Sequence, residues 1–362
     1  MLYHFLYPLK DIFFFFNIFR YITFRAAGAS VTAFLICILL FPMIIQWLKR
    51  LSVINATERE SAEKIHSFYA NKKSVPTMGG VLIVMGILIS NLLWGDLTNR
   101  FLLILLVVVL WFGGVGFLDD YLKLKTASSK GLSGKVKLLG QLIAGIVLGL
   151  YLHFTPEFSK ALYVPFFKQI MIPLGILFIP FVVAVLVGTS NALNLTDGLD
   201  GLAIGCLSFA AGAFSILTYI AGRRDFARYL EIPFVSGSGE LTVFCASVVG
   251  ASVGFLWYNS FPATVMMGDT GSLSLGGALG AVAVLIKHEL VLLIVGGVFV
   301  WEALSVILQV VSFRVFRRRI FLMSPFHHHL QLKGWPESKV TTRLWIIAFI
   351  LALIGLSTLK LR

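Results

Sequence analysis

Long apolar runs recur from one end of the sequence to the other, and each can cross a bilayer as a helix of about 20 residues. They are continuously apolar, whereas the strands of a membrane β-barrel alternate apolar and polar residues. Only 13% of the residues are charged, against roughly 25% in an average soluble domain. We therefore predict an all-α integral membrane protein with about ten transmembrane helices, near residues 24–47, 78–94, 101–118, 137–153, 172–189, 202–221, 241–258, 272–287, 290–312 and 343–359.

The polar stretches between these runs are too short for a second hydrophobic core, so residues 1–362 are predicted to form a single polytopic membrane domain. Basic residues predict its orientation. Alternate loops hold 18 of the 30 lysines and arginines, and the positive-inside rule places these loops in the cytoplasm and both termini outside. The loops concerned are 48–77, 119–137, 190–201, 259–271 and 313–343.

The formal net charge is +13, which in a soluble protein would suggest nucleic acid as a partner. In a membrane protein the same charge fits anionic lipid headgroups and topology, and bound phosphates are a compatible second explanation. We predict membrane lipid and no nucleic acid among the partners. The three cysteines lie in apolar runs without metal-ligand spacing, so they are predicted to be reduced packing residues.

Acidic residues occur where topology does not require them. The predicted cytoplasmic loops 190–201 and 259–271 contain Asp197, Asp200 and Asp269 but no lysine or arginine, and Asp119-Asp120 ends the apolar run LWFGGVGFL. Carboxylates at the rim of a bilayer are unfavourable unless they are paired, hydrated or bound to a cation. Five carboxylates on one face therefore predict a shared site, on the cytoplasmic side.

Asp119 and Asp120 are adjacent, so on a helix their side chains diverge by about 100° and cannot chelate one ion in the same way. One could bind metal or orient a substrate while the other acts as a base. The alternative is a pair of interfacial caps balanced by Lys123 and Lys125.

The segment SNALNLTDGLDGLA, residues 190–203, repeats an amide or carboxylate every third residue, at Asn191, Asn194, Asp197 and Asp200. The glycines that follow suit a helix start, which Asp197 could cap or where it could meet a ligand. An unusual turn between spans is the less favoured alternative.

Asp269 lies in the segment MGDTGSLSLGG, directly before an apolar helix and downstream of Asn259. A helix N-terminus attracts phosphate as well as a capping carboxylate. Because four other acids are expected nearby, we favour Asp269 as a Mg²⁺ ligand over a plain cap, since Mg²⁺ prefers carboxylate, phosphate and water oxygens.

Three consecutive histidines, His327, His328 and His329, follow a basic run in the loop 313–343. Neighbouring histidines point in different directions and chelate one metal poorly, so hydrogen bonding to phosphate or sugar suits them better. The alternative is an interfacial cluster facing lipid headgroups. Lys72 and Thr77 are weaker candidates for phosphate contact, and Glu302 is a lone acid in an apolar run that more often pairs inside a bundle than reacts.

Together these segments resemble the polyprenyl-phosphate N-acetylhexosamine-1-phosphate transferase superfamily and, more closely, its phospho-N-acetylmuramoyl-pentapeptide transferase branch. The matching segments occur in the order that the family has, and the three histidines favour this branch over relatives that use UDP-N-acetylglucosamine. They are PTMGG at 76–80, GFLDDYLKL at 116–124, NALNLTDGLDGLA at 191–203, MGDTGSLSLGG at 267–277 and SPFHHHLQLKGW at 324–335.

The resemblance implies a Mg²⁺-dependent transfer of phospho-MurNAc-pentapeptide from UDP-MurNAc-pentapeptide to undecaprenyl phosphate, which gives lipid I and UMP for peptidoglycan synthesis. It implies a multi-pass protein of the bacterial inner membrane, commonly a homodimer. Asp119, Asp120 and Asp269 would form the catalytic centre, with Asp269 as the metal ligand. Lys123 would lie near the uridine, and His327–His329 with Lys72–Thr77 would meet the phosphates or the muramoyl portion. The nucleotide site would be lined by Asn191, Asn194, Asp197, Asp200 and Asn259.

Two alternative functions remain at this stage. A related transferase could use UDP-N-acetylglucosamine, which substrate preference would reveal. A cation-coupled transporter could also carry acids at a membrane rim, but transporters usually place coupling sites near the bilayer midplane within repeated architectures. No repeat is evident in this sequence.

Overall fold

The computed structural model describes residues 1–50, 75–125, 131–167 and 170–360. Its described part is predominantly helical with only one short hairpin, so the all-α prediction is confirmed. The helices are α1 Leu2–Leu6, α2 Ile22–Arg50, α3 Gly80–Trp94, α4 Arg100–Lys125, α5 Gly134–Phe154, α6 Phe178–Thr196, α7 Leu202–Ala221, α8 Arg224–Leu230, α9 Leu241–Asn259, α10 Gly268–Leu285, α11 Glu289–Val295, α12 Gly297–Phe316, α13 Phe326–Leu332 and α14 Glu337–Ser357.

Eight helices of the described chain are long and apolar enough to cross a membrane. They are α2, α4, α5, α6, α7, α9, α12 and α14, each of which overlaps a predicted span. The chain is therefore a multi-pass membrane protein. The predicted spans 78–94 and 272–287 correspond to the shorter α3 and to α10, so the number ten stays a prediction.

Helix α10 lies at the centre of the bundle. Every residue from Thr270 to Leu285 is buried, and the helix packs against α3, α4 and α6. Small residues allow this packing, because a Cβ on Gly276 would lie 2.7 Å from the Cα of Ser190 on α6. The sequence of α10 is thus suited to contact with other helices and not with lipid.

Three features of the backbone differ from the predicted spans. Helix α4 continues to Lys125, so Asp119 and Asp120 lie on its last turns. The predicted span 290–312 is broken at Gly296, where α11 ends and α12 begins, because paired glycines are poor helix formers. Residues 172–174 are not helical, since Met171–Pro173 pairs with Ala161–Tyr163 as a short antiparallel hairpin, and Gly175–Leu177 form a 3₁₀ turn before α6.

Candidate active site

Asp119, Asp120 and Asp269 come together where the end of α4 meets the start of α10. One oxygen from each of the three carboxylates can be chosen so that all lie within 4.8 Å of one another. Asp119 and Asp120 are buried, whereas the side chain of Asp269 is 15% exposed. The sequence predicted a shared acidic site, and the structure brings three of the five predicted acids into one cluster.

The two adjacent aspartates have different partners, as their divergence on a helix predicts. Asp120 Oδ2 accepts hydrogen bonds from the backbone N–H and the hydroxyl of Thr270, at 2.9 and 2.7 Å. Asp120 Oδ1 accepts the backbone N–H of Asp269 at 3.1 Å. Asp120 therefore caps α10 from a neighbouring helix and fixes the backbone that carries Asp269.

Asp119 faces two lysines. Its Oδ2 lies 2.5 Å from Lys123 Nζ and 3.4 Å from Lys137 Nζ, and its Oδ1 accepts the backbone N–H of Leu132 at 2.8 Å. Asp119 and Asp269 share these lysines, because Lys123 Nζ is also 3.2 Å from Asp269 Oδ2 and Lys137 Nζ contacts the same oxygen. The cluster thus contains two cations among three carboxylates.

Asn194 orients Asp269 from α6. Its Nδ2 donates to Asp269 Oδ1 at 2.8 Å and to Ser272 Oγ at 2.8 Å. Burial alone would raise the pKa of Asp269, which precedes the apolar part of α10, but its contact with Asp119 and the charges of Lys123 and Lys137 hold that pKa well below its usual range. Asp269 is therefore held as an anion.

Glycines allow the close approach of α4 and α10. Gly268 has φ +74°, and a Cβ there would lie 2.8 Å from Asp120 Oδ2. A Cβ on Gly116 of α4 would lie 2.2 Å from the carbonyl oxygen of Asp269. These glycines explain how two carboxylate-bearing backbones can lie so near each other.

The segment PTMGG places Thr77 beside the same site. The backbone N–H of Met266 donates to the carbonyl of Pro76 at 2.8 Å, and that of Gly79 donates to the carbonyl of Met266 at 2.9 Å. Half-buried Thr77 therefore lies next to the segment that leads into Asp269. Lys72, predicted to contact phosphate, lies outside the described residues.

Asp200 and Asn259 connect the two acidic loops. Asp200 Oδ2 accepts the backbone N–H of Ala263 at 3.0 Å, and Asn259 Oδ1 accepts that of Gly201 at 3.0 Å. Both side chains are buried. They hold the loops 197–201 and 259–267 together, and direct contact with a nucleotide stays a prediction for them.

Asn191 and Asp197 have different surroundings from Asn194. The amide of Asn191 donates to Gln141 Oε1 on α5 at 2.8 Å. Asp197 follows the last residue of α6, and α7 begins only at Leu202, after Gly201 in the left-handed conformation, so Asp197 does not cap a helix start and its contact with a ligand stays a prediction. The asparagines and aspartates of this segment therefore face different neighbours.

The three histidines also differ. His327 is fully buried, and its Nδ1 lies 3.1 Å from Glu302 Oε2. His328 is buried with its Nδ1 2.9 Å from Gln331 Oε1, whereas His329 is half-buried and accepts the backbone N–H of Leu322. The structure thus gives each ring a partner within the loop or the bundle, and ligand contact stays a prediction.

Comparison with known proteins identifies the family. The sequence model of glycosyl transferase family 4 matches residues 102–287, which include α4 to α10 and all three clustered aspartates. Relatives named phospho-N-acetylmuramoyl-pentapeptide-transferase align over the whole of both chains. Those of Granulibacter bethesdensis and Geobacter sp. strain M21 are 51% identical, and that of Thermodesulfovibrio yellowstonii is 50% identical.

The chain belongs to the phospho-N-acetylmuramoyl-pentapeptide-transferase family. The resemblance inferred from the five motifs is therefore confirmed, and it extends beyond the motifs to the full chain. Membership makes the chain a transferase and favours that activity over the transporter and the UDP-N-acetylglucosamine alternatives.

The donor set of the cluster fits the divalent metal that such phosphotransferases normally use. Asp119 and Asp269 face Lys123 and Lys137 through their Oδ2 atoms, whereas both oxygens of Asp120 are occupied by the first turn of α10. No described cysteine or histidine joins the group, as expected for a metal that prefers oxygen.

Sequence reasoning missed Lys137, which contacts both Asp119 and Asp269. It begins a predicted span, where a lysine is expected for topology alone. The one sequence signal for Lys137 is its position in the segment SGKVKLLG, on the same predicted side of the membrane as the acidic loops.

Proposed function

We propose that this protein transfers phospho-MurNAc-pentapeptide from UDP-MurNAc-pentapeptide to undecaprenyl phosphate, releasing UMP and forming lipid I for peptidoglycan synthesis. Family membership at about 50% identity over the full chain supports the reaction. The observation that carries the proposal is the cluster of three aspartates and two lysines at the ends of apolar helices. It is placed to act on a phosphate at the edge of a membrane.

The reaction exchanges one phosphoanhydride for another, so it is nearly thermoneutral and needs no separate energy source. Catalysis therefore has to align the reactants and neutralise crowded phosphate oxygens. Lys123 and Lys137 supply two positive charges in a largely buried setting, where they act more strongly than in water. Asp120 and Asn194 hold Asp269 in place.

Mg²⁺ is the metal we propose, held by Asp269 with Asp119 as the second carboxylate. When bound, it would neutralise charge on the diphosphate of the nucleotide substrate. Lys137, which contacts Asp269, would supply a positive charge to the phosphate oxygens.

Asp119 is proposed to orient or deprotonate the acceptor phosphate, which attacks in line. The lipid phosphate is already largely ionised at neutral pH, so a strong base is not required. A covalent aspartyl-phosphate intermediate is the alternative. A burst of UMP from enzyme without lipid acceptor, equal to the amount of enzyme, would contradict direct displacement.

The nucleotide is proposed to lie against the segment Asn191–Asp200 and Thr77, with Lys123 near the uridine. Asn194 supports this placement, because it already contacts Asp269 from that segment. Lys72, His327–His329 and Asn259 complete the proposed substrate-binding set. Asn259 and Asp200 would act by holding the loops in register.

An apolar cavity of about 300 Å³ suggests where the acceptor's isoprenoid chain lies. Its walls come from α6, α10, α11 and α12. Ala192 and Leu193 line it, and they directly precede Asn194. We propose that the first isoprene units occupy this cavity, which holds only part of so long a chain.

We further propose that the protein is a homodimer of the bacterial inner membrane, with both termini outside and the cluster at the cytoplasmic face. The excess of lysine and arginine in the loops on the side of the cluster supports this orientation. The nucleotide substrate is water-soluble and charged, which also requires a site open to the cytoplasm.

The decisive assay measures UMP release by purified protein. We expect release only when UDP-MurNAc-pentapeptide and undecaprenyl phosphate are both present. Release with UDP-N-acetylglucosamine instead would move the chain to the related branch. No release with either donor, from folded protein, would contradict the proposal.

A further inference from the structure

Glu302 is a buried carboxylate that the proposed mechanism does not use. It lies on α12, one of the apolar spans, and is fully buried. A carboxylate in such a place is unfavourable unless it has a specific partner. Within the described part of the chain, both hydrogen-bond contacts of its carboxylate are with one residue: Oε2 accepts the backbone N–H of His327 at 3.3 Å and faces His327 Nδ1 at 3.1 Å.

The other nitrogen of His327, Nε2, is buried and makes no hydrogen bond within the described part of the chain. A buried polar atom without a partner is unfavourable, so its retention calls for an explanation. Glu302 Oε1 is likewise buried without a hydrogen bond.

Nε2 of His327 faces the loop between α6 and α7. A Cβ on Gly198 would lie 2.3 Å from it, so the ring packs directly against that glycine. Gly198 follows Asp197, and three residues before Asp197 is Asn194, which contacts Asp269. The unpartnered nitrogen is therefore aimed at the segment on which the nucleotide is proposed to bind.

We propose that Glu302 is the positioning residue of His327. Its carboxylate holds a proton on Nδ1, and its negative charge allows the ring to carry a second proton on Nε2 when an anionic nucleotide phosphate approaches. The same geometry recurs where a carboxylate orients a histidine that acts through its other nitrogen. This inference rests on the proposed function, because it assigns the ligand of Nε2 to the nucleotide.

A purely structural role makes a different prediction. In Glu302→Gln the side-chain oxygen can still accept the N–H of His327 and the proton on Nδ1, so α13 would stay in place. Only the negative charge is lost. A structural partner would tolerate this change, whereas a residue that supports a cationic ring would not.

The test compares kinetics of UMP release in matched variants. Glu302→Gln and His327→Gln should each lower kcat/KM for the UDP-linked substrate by about 10–100-fold, the range seen when a supporting partner of an active-site group is removed. The double variant should be no worse than His327→Gln alone, since the two residues act as one unit. Ser305→Ala is the control, because its buried hydroxyl bonds to the backbone of Glu302 on the same helix.

A spectroscopic measurement on the unaltered protein covers the case in which a variant fails to fold. In protein with ¹⁵N-labelled histidine, UMP should convert both ring nitrogens of His327 to the protonated form. A His327 signal that UMP leaves unchanged would overturn the inference, as would Glu302→Gln within twofold of wild type. Wild-type protein that releases no UMP from its substrates would contradict the proposed function itself.

Discussion

At the scale of single residues, the three aspartates of the site have different partners although they are the same residue type. Asp120 has both oxygens committed to the first turn of α10, whereas Asp119 and Asp269 face Lys123 and Lys137. Removing the charge of Asp120 would therefore loosen the backbone under Asp269, and removing that of Asp269 would remove the proposed metal ligand. The two effects differ because the two aspartates hold different positions relative to α10, not because their residue types differ.

Lys137 provides a test at this scale. Lys137→Met removes a positive charge that contacts both Asp119 and Asp269, so we expect kcat for UMP release to fall tenfold or more. Lys135→Met, on the same helix but exposed, should stay within twofold of wild type. Equal activity in the two variants would contradict a catalytic role for Lys137.

At the scale of helices, the contact between α4 and α10 determines whether the carboxylates meet. Gly116 has no room for a side chain beside the backbone of Asp269, whereas a Cβ on Gly114 would have no atom within 4 Å. The two positions share one helix and differ by two residues. They allow the helix contact to be altered without changing any polar group.

We expect Gly116→Ala to push α10 away from α4, to destabilise the protein by about 1–3 kcal/mol and to lower activity more than tenfold. Gly114→Ala should be neutral or stabilising by up to about 1 kcal/mol, because alanine favours a helix. Thermal unfolding and UMP release measure both effects. Loss of activity in Gly114→Ala, or full activity in Gly116→Ala, would be inconsistent with this packing.

Helix positions follow from the sequence more readily than the contacts between them. The apolar runs predicted most of the bundle, since each must satisfy its own backbone hydrogen bonds in lipid. The break at Gly296 was missed, because one glycine pair in a long apolar run does not by itself end a helix. The cap that Asp120 provides joins residues about 150 positions apart and has no local sequence pattern.

The candidate site was likewise predictable from the sequence only in part. Acids that topology does not require predicted a shared site of five carboxylates, and Asp119, Asp120 and Asp269 do form one cluster. Lys137 was missed, because a lysine at a membrane boundary has an ordinary explanation in topology. Glu302 was noticed as an isolated acid in an apolar run, but its partner His327 could be found only in three dimensions.

At the scale of the whole molecule, the direction in which the site faces determines which substrates can reach it. The three native cysteines are buried, so they can stay in place while a cysteine introduced at an exposed position reports topology. Lys135 is exposed on the side of the cluster, and Glu157 is exposed beyond the other end of α5. The two positions sample opposite faces of the membrane.

A membrane-impermeant maleimide should label Glu157→Cys in intact spheroplasts and Lys135→Cys only after the membrane is broken. This expectation follows from the distribution of lysine and arginine. The reverse pattern would place the aspartate cluster outside and would contradict its access to a cytoplasmic nucleotide.

The measurement that most directly tests the central claim is UMP release as a function of Mg²⁺ concentration, in wild type and in Asp269→Asn. The control is Glu157→Gln, which changes an exposed acid beyond the end of α5 that lies away from the cluster. We predict that wild type and Glu157→Gln need the metal, lose activity with a chelator and regain it on adding Mg²⁺. Asp269→Asn should be inactive at Mg²⁺ concentrations that saturate wild type. Metal-independent release by wild type, or full activity of Asp269→Asn, would contradict the assignment of this cluster as a magnesium-dependent phosphoryl-transfer site.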